Sequence, residues 1–293
     1  MRLRRLRNIR NKYLARKYLA REPSVQSESL KSVKEAYGKS DAQLPNGVPE
    51  EVKTLSDWRP IAPELWHWET WEKAFLYDLQ DVNATDWCNV AELLAPGIWR
   101  IALFKPELLH QLSMEIAHLE RWSSRYQVSL QPPNSMHDYG IEMQLIEFHT
   151  IFQQFTRSIA NSIVEQLFPE LDLGLLDHHH AFSVTYGDQY NRSLGFHADD
   201  SEVTFNFCLS GDFVGSELYF QGTRCFNHLQ NPHHPDEHVE VSQIPGTCIV
   251  HVGLHRHGVL PILQGVRRSL IVWTKSSAFR DGNGREKCVL WCK

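Results

Sequence analysis

No run of this 293-residue chain is apolar for long enough to cross a bilayer, and its first residues lack the apolar core of a secretory signal. Neither a transmembrane segment nor an export leader is expected. The six cysteines (Cys88, Cys208, Cys225, Cys248, Cys288 and Cys292) make no pair of close pairs of the zinc-finger kind. Without an export signal they are expected as reduced thiols in a cytoplasmic setting, with Cys208 and Cys248 as small hydrophobes inside strands. Cys288 and Cys292 have no matching half along the chain, so residues 286–293 read as an exposed, frayed tail. A glycine-rich phosphate loop, a nucleophile turn and an internal repeat are also missing, which removes the common nucleotide-binding, hydrolase and solenoid readings.

Hydrophobic residues make up 42% and charged residues 22%, an ordinary balance for a globular chain able to bury a large core. The net charge of −5 hides an asymmetry. Residues 1–21 carry nine Lys/Arg and no acid, so the remainder is strongly acidic, unlike a nucleic-acid-binding body. Leu3, Leu6, Ile9 and Tyr13 give that leader helical spacing, and it reads as a solvated, fraying surface helix or else as one suited to an acidic partner, or to nuclear or mitochondrial delivery. A polar linker rich in Ser, Pro and Glu completes residues 1–50. Residues 51–95 hold five of the nine tryptophans (Trp58, Trp66, Trp68, Trp71 and Trp87) and read as short helices packed on the main body, with the aromatics as core.

Residues 96–285 form the principal domain in this reading. Pro106 opens a helix with Leu109, Leu112, Ile116 and Leu119 on one stripe; a second helix carries Phe152, Phe155, Ile159 and Ile163 and stops before Pro169. These supply helical support over 96–170. Over 180–275 the period becomes alternating: Phe182, Val184 and Tyr186, then Val203, Phe205, Phe207 and Leu209, with Thr204, Asn206 and Cys208 between. Further short strands are expected at Leu218–Phe220, His238–Ser242, Thr247–Val252, His255–Leu260 and Ser269–Thr274. The fold class that follows is α+β, a jelly roll flanked by N-terminal helices.

The chemistry-bearing residues lie on those strands. His197-Ala198-Asp199 places an imidazole and a carboxylate two residues apart, on one side of an extended segment. Two imidazoles and one carboxylate on one face of a metal are the ligand set of non-haem Fe(II) oxygenases. A third ligand must come from a distant strand, and His251, His255 and His257 are the candidates. Arg267, ten residues beyond His257, is suited to clamp a carboxylate, with Arg268 as an alternative facing the other way. His178-His179-His180 reads as a solvated strand start. His228, His233, His234 and His238 sit in a polar insertion expected to be a mobile loop or a substrate lid. Glu64, Glu69 and Glu120 read as solvated.

The pattern His-x-Asp, then His with Pro at +4, Gly at +8 and Arg at +10, resembles 2-oxoglutarate-dependent dioxygenases of the prolyl and lysyl hydroxylase type. Thr204-x-Asn206 and Gly215–Phe220 extend the likeness, and Pro133–Gly140 and Ser269–Trp273 look like the oxygenase domain-containing 2 subgroup. The resemblance covers about residues 96–285. It implies a double-stranded β-helix with Fe(II) on His197, Asp199 and His257, the last preferred for its offset to Arg267. It also implies 2-oxoglutarate on Arg267, with Tyr186 a further candidate for that anion. O2 and 2-oxoglutarate would be co-substrates, C–H hydroxylation of a prolyl or lysyl side chain the reaction, succinate and CO2 the by-products, and L-ascorbate an auxiliary. The competing readings are a catalytically silent β-helix binding module and a cupin-like metal enzyme of different chemistry.

Overall fold

Burial along the two expected helices follows their apolar stripes. In the computed structural model, which describes residues 53–134, 136–209, 211–288 and Cys292, two short helices come first, α1 (Trp68–Ala74) and α2 (Trp87–Val90). The basic leader and linker expected over residues 1–50 lie outside the described residues. α3 (Pro106–Tyr126) starts at its proline and ends on Gln127 in the left-handed region. Leu109, Leu112, Ile116 and Leu119 are buried along it. The second expected helix runs without interruption as α4 (His149–Phe155) and α5 (Asn161–Leu167), joined by a π-turn over Thr156–Ala160. There the Thr156 hydroxyl donates to the Phe152 carbonyl (2.8 Å) and the Asn161 amide to the Thr156 carbonyl (2.9 Å).

The tryptophan-rich segment is core. Trp71 and Trp87 are buried, with indole N–H groups satisfied by the Leu65 carbonyl and the Ser162 hydroxyl, both at 2.9 Å. Its attachment rests on a residue that apolar patterning passes over. The buried Glu115 carboxylate of α3 accepts the backbone N–H of Ile61 (3.1 Å) and Ala62 (2.8 Å). The expected boundary at 95/96 falls inside a hairpin of β1 (Glu92–Ala95) and β2 (Ile98–Ile101), which is part of the main sheet. Gly97 supplies its positive φ of 71°.

The remaining strands are β3 (Gly140–Glu142), β4 (His178–Gly187), β5 (Leu194–His197), β6 (Val203–Cys208), β7 (Phe213–Gly215), β8 (Leu218–Thr223), β9 (His238–Val241), β10 (Cys248–Val252), β11 (His255–Val259) and β12 (Ile262–Lys275). They form an eight-stranded sheet in the order β1-β2-β10-β6-β12-β4-β3, with β7 paired to β12, and a four-stranded sheet β5-β11-β8-β9. All pairings are antiparallel, as in a jelly roll flanked by helices. β12 is longer than its expected Ser269–Thr274. It begins at Ile262 against β7 and passes the positive φ of Gly265 (83°) before reaching β4 and β6. No helix among the described residues is long and apolar enough to cross a membrane.

Alternation divides the large sheet's side chains between two cores. Phe205, Phe207, Val250, Leu270 and Val272 pack against the helices. Phe182, Val184, Ile249, Ile271 and Trp273 face the small sheet, with Leu218 and Phe220 opposite. The insertion after β8 departs from the expected mobile loop. Buried Arg224 makes a two-point ion pair with Glu237, both contacts at 2.8 Å, and donates to the Pro232 carbonyl. Arg256, between the two histidines of β11, reaches the carbonyls of Gln221, Leu229 and Asn231. Cys292 is 7% exposed against Cys225, so the tail is anchored at that point rather than frayed.

Candidate metal and anion site

Pairing in the small sheet brings distant histidines together. β5 and β11 are antiparallel neighbours with His257 directly opposite His197, and the two ring centroids are 4.3 Å apart. Asp199 joins them by a different route from the one its spacing suggests. β5 ends at His197, so Asp199 lies beyond the strand, where its N–H donates to the Gly253 carbonyl (2.8 Å). Gly253 is required at that crossing, because a Cβ there would overlap the Ser201 carbonyl oxygen. The Thr204 hydroxyl then donates to Asp199 Oδ2 (2.6 Å). Asp199 Oδ1 is left 3.4 Å from His197 Nε2 and 3.8 Å from His257 Nε2.

Both rings are oriented by backbone. His197 Nδ1 lies 2.8 Å from the Gly195 carbonyl and His257 Nδ1 2.8 Å from the His255 carbonyl. A carbonyl accepts only, so each Nδ1 carries the proton and, in the neutral ring, each Nε2 turns a lone pair to the centre. One atom from each of the three residues lies within 4.8 Å of the others, an arrangement able to hold a metal ion. Burial drives the His257 pKa down to about 3, favouring the neutral ring. For His197 burial works the same way, but the hydrogen bond and charge of Asp199 outweigh it and move the pKa up. Burial opposes the charged form of Asp199, yet His257, His197 and His251 hold its pKa well below the usual carboxylate range.

The other two histidine candidates do not join this group. His251 is fully buried, with Nδ1 on the Val252 carbonyl (2.9 Å) and Nε2 3.8 Å from the far oxygen of Asp199. It is a neighbour of the carboxylate. His255 packs its ring on Phe220 at 5.0 Å. His178 is exposed and pairs with Asp177 at 2.9 Å, while His179 and His180 are half-buried against His149 and Phe182.

A cavity opens on the three residues, walled by Phe182, Val184, Leu218, Val259, Ile271 and Trp273. Arg267 lies in the same cavity and is 1% exposed. Its Nε donates to the Ser216 hydroxyl (3.0 Å), its Nη1 to the Ser269 hydroxyl (3.1 Å), and the guanidinium lies 4.6 Å over the Tyr186 ring. Among the described residues no carboxylate is within ion-pair distance of it. Arg268 faces the other way and pairs with Glu120 of α3 at 2.8 Å; Glu120, expected to be solvated, also accepts from the Thr185 hydroxyl (2.9 Å).

Tyr186, the further candidate for the anion, lies in the same cavity under Arg267, backed by His137 and Asn134, to which sequence reasoning assigned no role. Tyr186 donates to His137 Nε2 (3.1 Å), and His137 Nδ1 donates to the Asn134 side-chain oxygen (2.9 Å). Burial pushes the Tyr186 pKa up to about 12 and lowers that of His137 to about 4, so both are neutral near pH 7. Asn134 and His137 lie in the Pro133–Gly140 run, whose only signal in the sequence was its family likeness.

Residues 54–172 match the family model described as the OGFOD2-like domain. The chain is 37% identical over 198 residues to the 2-oxoglutarate and iron-dependent oxygenase domain-containing protein ICU11 of Arabidopsis thaliana, covering 67% of this chain and 50% of that protein. It is 31% identical over 261 residues to protein CP2 of the same description and organism (85% and 66%). It is 33% identical over 196 residues to 2-oxoglutarate and iron-dependent oxygenase domain-containing protein 2 of Xenopus tropicalis (67% and 52%). This chain thus spans about half the length of the first and third relatives. Among solved structures it is similar to a Trichoplax adhaerens prolyl hydroxylase in complex with a hypoxia inducible factor peptide, with TM-score 0.48, 12% identity, and coverage of 69% and 93%. Residues 54–172 thus carry an OGFOD2-like domain, and over about two thirds or more of its length the chain is homologous to proteins described as 2-oxoglutarate and iron-dependent oxygenase domain-containing proteins.

Proposed function

We propose that the chain is an Fe(II)- and 2-oxoglutarate-dependent dioxygenase, with His197, Asp199 and His257 holding the metal and Arg267 holding the co-substrate's remote carboxylate. One observation carries the reading: two backbone-oriented Nε2 lone pairs and one carboxylate oxygen converge in a cavity that also buries a guanidinium with no carboxylate at ion-pair distance among the described residues. A buried cation without a counter-ion is destabilising, so the cavity favours an anionic occupant. The donor set suits a ferrous ion with open positions on the opposite face. When bound, iron with 2-oxoglutarate and O2 would supply C–H hydroxylation with release of succinate and CO2.

The remaining work falls to side chains. Thr204 fixes the free oxygen of Asp199, and Ser216, Ser269 and the Tyr186 ring fix the plane of Arg267 for two-point capture of a carboxylate. His137 holds the Tyr186 hydroxyl beside that capture point. Apolar walls exclude water from the reacting groups. Hydroxylation of a prolyl or lysyl side chain, with ascorbate as auxiliary, is the finer part of the proposal; it is supported by the hydroxylase-type spacing from His197 to Arg267.

Anaerobic titration with Fe(II) and 2-oxoglutarate tests the reading. A metal-to-ligand charge-transfer band, followed by succinate on admission of air, is expected. Binding of 2-oxoglutarate without succinate would indicate a silent module, and neither signal would indicate a different metal enzyme.

A further inference from the structure

Three cysteines and a histidine meet at a second place, away from the cavity. Cys225 and His228 open the insertion after β8, two intervening residues apart, while Cys288 and Cys292 stand near the C-terminus, three apart. Each pair alone is half of a metal clip. The fold joins the halves: the three sulfurs and one His228 nitrogen all lie within 4.8 Å of one another. His228 Nδ1 is 3.1 Å from Cys225 Sγ and 3.5 Å from Cys288 Sγ. Tetrahedral zinc with Zn–S near 2.3 Å and Zn–N near 2.0–2.1 Å sets an S···N edge of about 3.5 Å and an S···S edge of about 3.8 Å. The two S···N edges on His228 are already close to that size.

We infer that Cys225, His228, Cys288 and Cys292 form a structural zinc site that ties the C-terminal segment to the insertion after β8. All four positions are filled by protein ligands, the mark of a structural rather than a catalytic zinc, and thiolates select zinc over the hard cations. Binding exchanges protons for metal: three thiols give up one proton each as Zn²⁺ enters, and neutral His228 contributes a lone pair. The product carries one net negative charge. Its surroundings suit that charge. Arg224 precedes Cys225, Arg256 lies within electrostatic reach of Cys292, and the Arg285 guanidinium is 6.0 Å from the ring of Phe226. The Cys225 N–H donates to Cys292 Sγ (3.0 Å), the kind of backbone hydrogen bond that supports a ligating sulfur.

The site has a mechanical consequence. Arg256 lies between His255 and His257 on β11 and is bound to carbonyls of the insertion. Pinning the insertion from its other side steadies the strand that carries His257.

Metal content of the full chain, prepared under reducing conditions with zinc supplied, tests the inference. Up to two zinc ions per chain are expected in the wild type, the second in the cavity, one in a His197→Ala/Asp199→Ala variant, at most one in Cys225→Ser/Cys292→Ser, and none when both pairs are replaced. Zinc lost with the His/Asp variant and kept in the cysteine variant would overturn the assignment. Should the cysteine variant not fold, Co²⁺ titration of the wild type decides. Intense thiolate-to-cobalt charge-transfer absorption is expected in the wild type and in the His/Asp variant, with its loss on adding one equivalent of zinc. Absence of that absorption, or a Cys225–Cys292 disulfide by intact mass under non-reducing conditions, would also overturn it.

Discussion

Arg267 and Arg268 are adjacent on β12, equally charged and both poorly exposed, yet they serve opposite faces of one sheet. Arg268 turns to α3, where Glu120 neutralises it at 2.8 Å. Arg267 turns to the cavity, where its partners are two hydroxyls and an aromatic ring. The same division runs through β6: Phe205 and Phe207 feed the helical core while Thr204 and Asn206 line the cavity. The helix-facing side is complete in itself. Its apolar groups are packed and its charge is paired. The cavity side carries converging lone pairs and an unneutralised cation, which a self-sufficient core does not keep, so it is a surface shaped for something else.

The sharpest way to break that contrast is Asp199→Ala. Loss of at least about a hundredfold in iron-dependent succinate formation is expected, since even the groups behind a metal ligand are worth 10–100-fold. Unchanged turnover would remove Asp199 from the metal. Next in size is Arg267→Ala. A charged hydrogen bond contributes about 1.5–3 kcal/mol, so 2-oxoglutarate affinity should fall roughly ten- to hundredfold, with iron affinity nearly unchanged. Equilibrium binding of each, measured separately, checks this. Full retention of 2-oxoglutarate affinity would show that another cation holds the anion.

Much of this division was legible in the sequence because strand alternation is a local property. Phe182, Val184 and Tyr186 share a face by parity alone, and the same parity sends Arg267 and Arg268 apart. The alternation at Val203–Cys208 was enough to separate helix-facing from cavity-facing residues. Features set by contacts between distant segments were not legible. His-x-Asp spacing suggested two ligands on one strand, whereas Asp199 is placed by the Gly253 carbonyl, fifty-four residues away. Among His251, His255 and His257 the offset to Arg267 already favoured His257, but not the reason, which is register: only His257 pairs across from His197. Glu115 and Glu120 looked solvated or unremarkable because a helical stripe does not show which carboxylates meet a docking segment or a neighbouring sheet. Cys288 and Cys292 looked like an unmatched pair because their complement lies sixty or more positions upstream. His137 and Asn134 carried no chemical pattern until Tyr186 was found beside them.

The helix-facing side makes its own, smaller predictions. Arg268→Ala removes one partly exposed ion pair, so a stability loss of no more than about 1 kcal/mol is expected, with 2-oxoglutarate affinity unaltered. Denaturant unfolding beside ligand binding checks both halves, and a binding defect as large as that of Arg267→Ala would erase the distinction between the two arginines. The smallest effect concerns acid. His179, on the same face, lies 4.8 Å from the His149 ring, and burial with that neighbour lowers its pKa to about 4. Below its unfolded pKa of about 6.5 the unfolded chain binds a proton that the folded chain resists, so stability present above that pH is lost progressively as pH falls toward 4. His179→Gln cannot take up that proton and should flatten this part of the pH dependence of Tm. An undiminished slope in the variant would show that the acid sensitivity belongs to other groups, those of the cavity included, and that the helix-facing side is as inert to protons as it is to ligands.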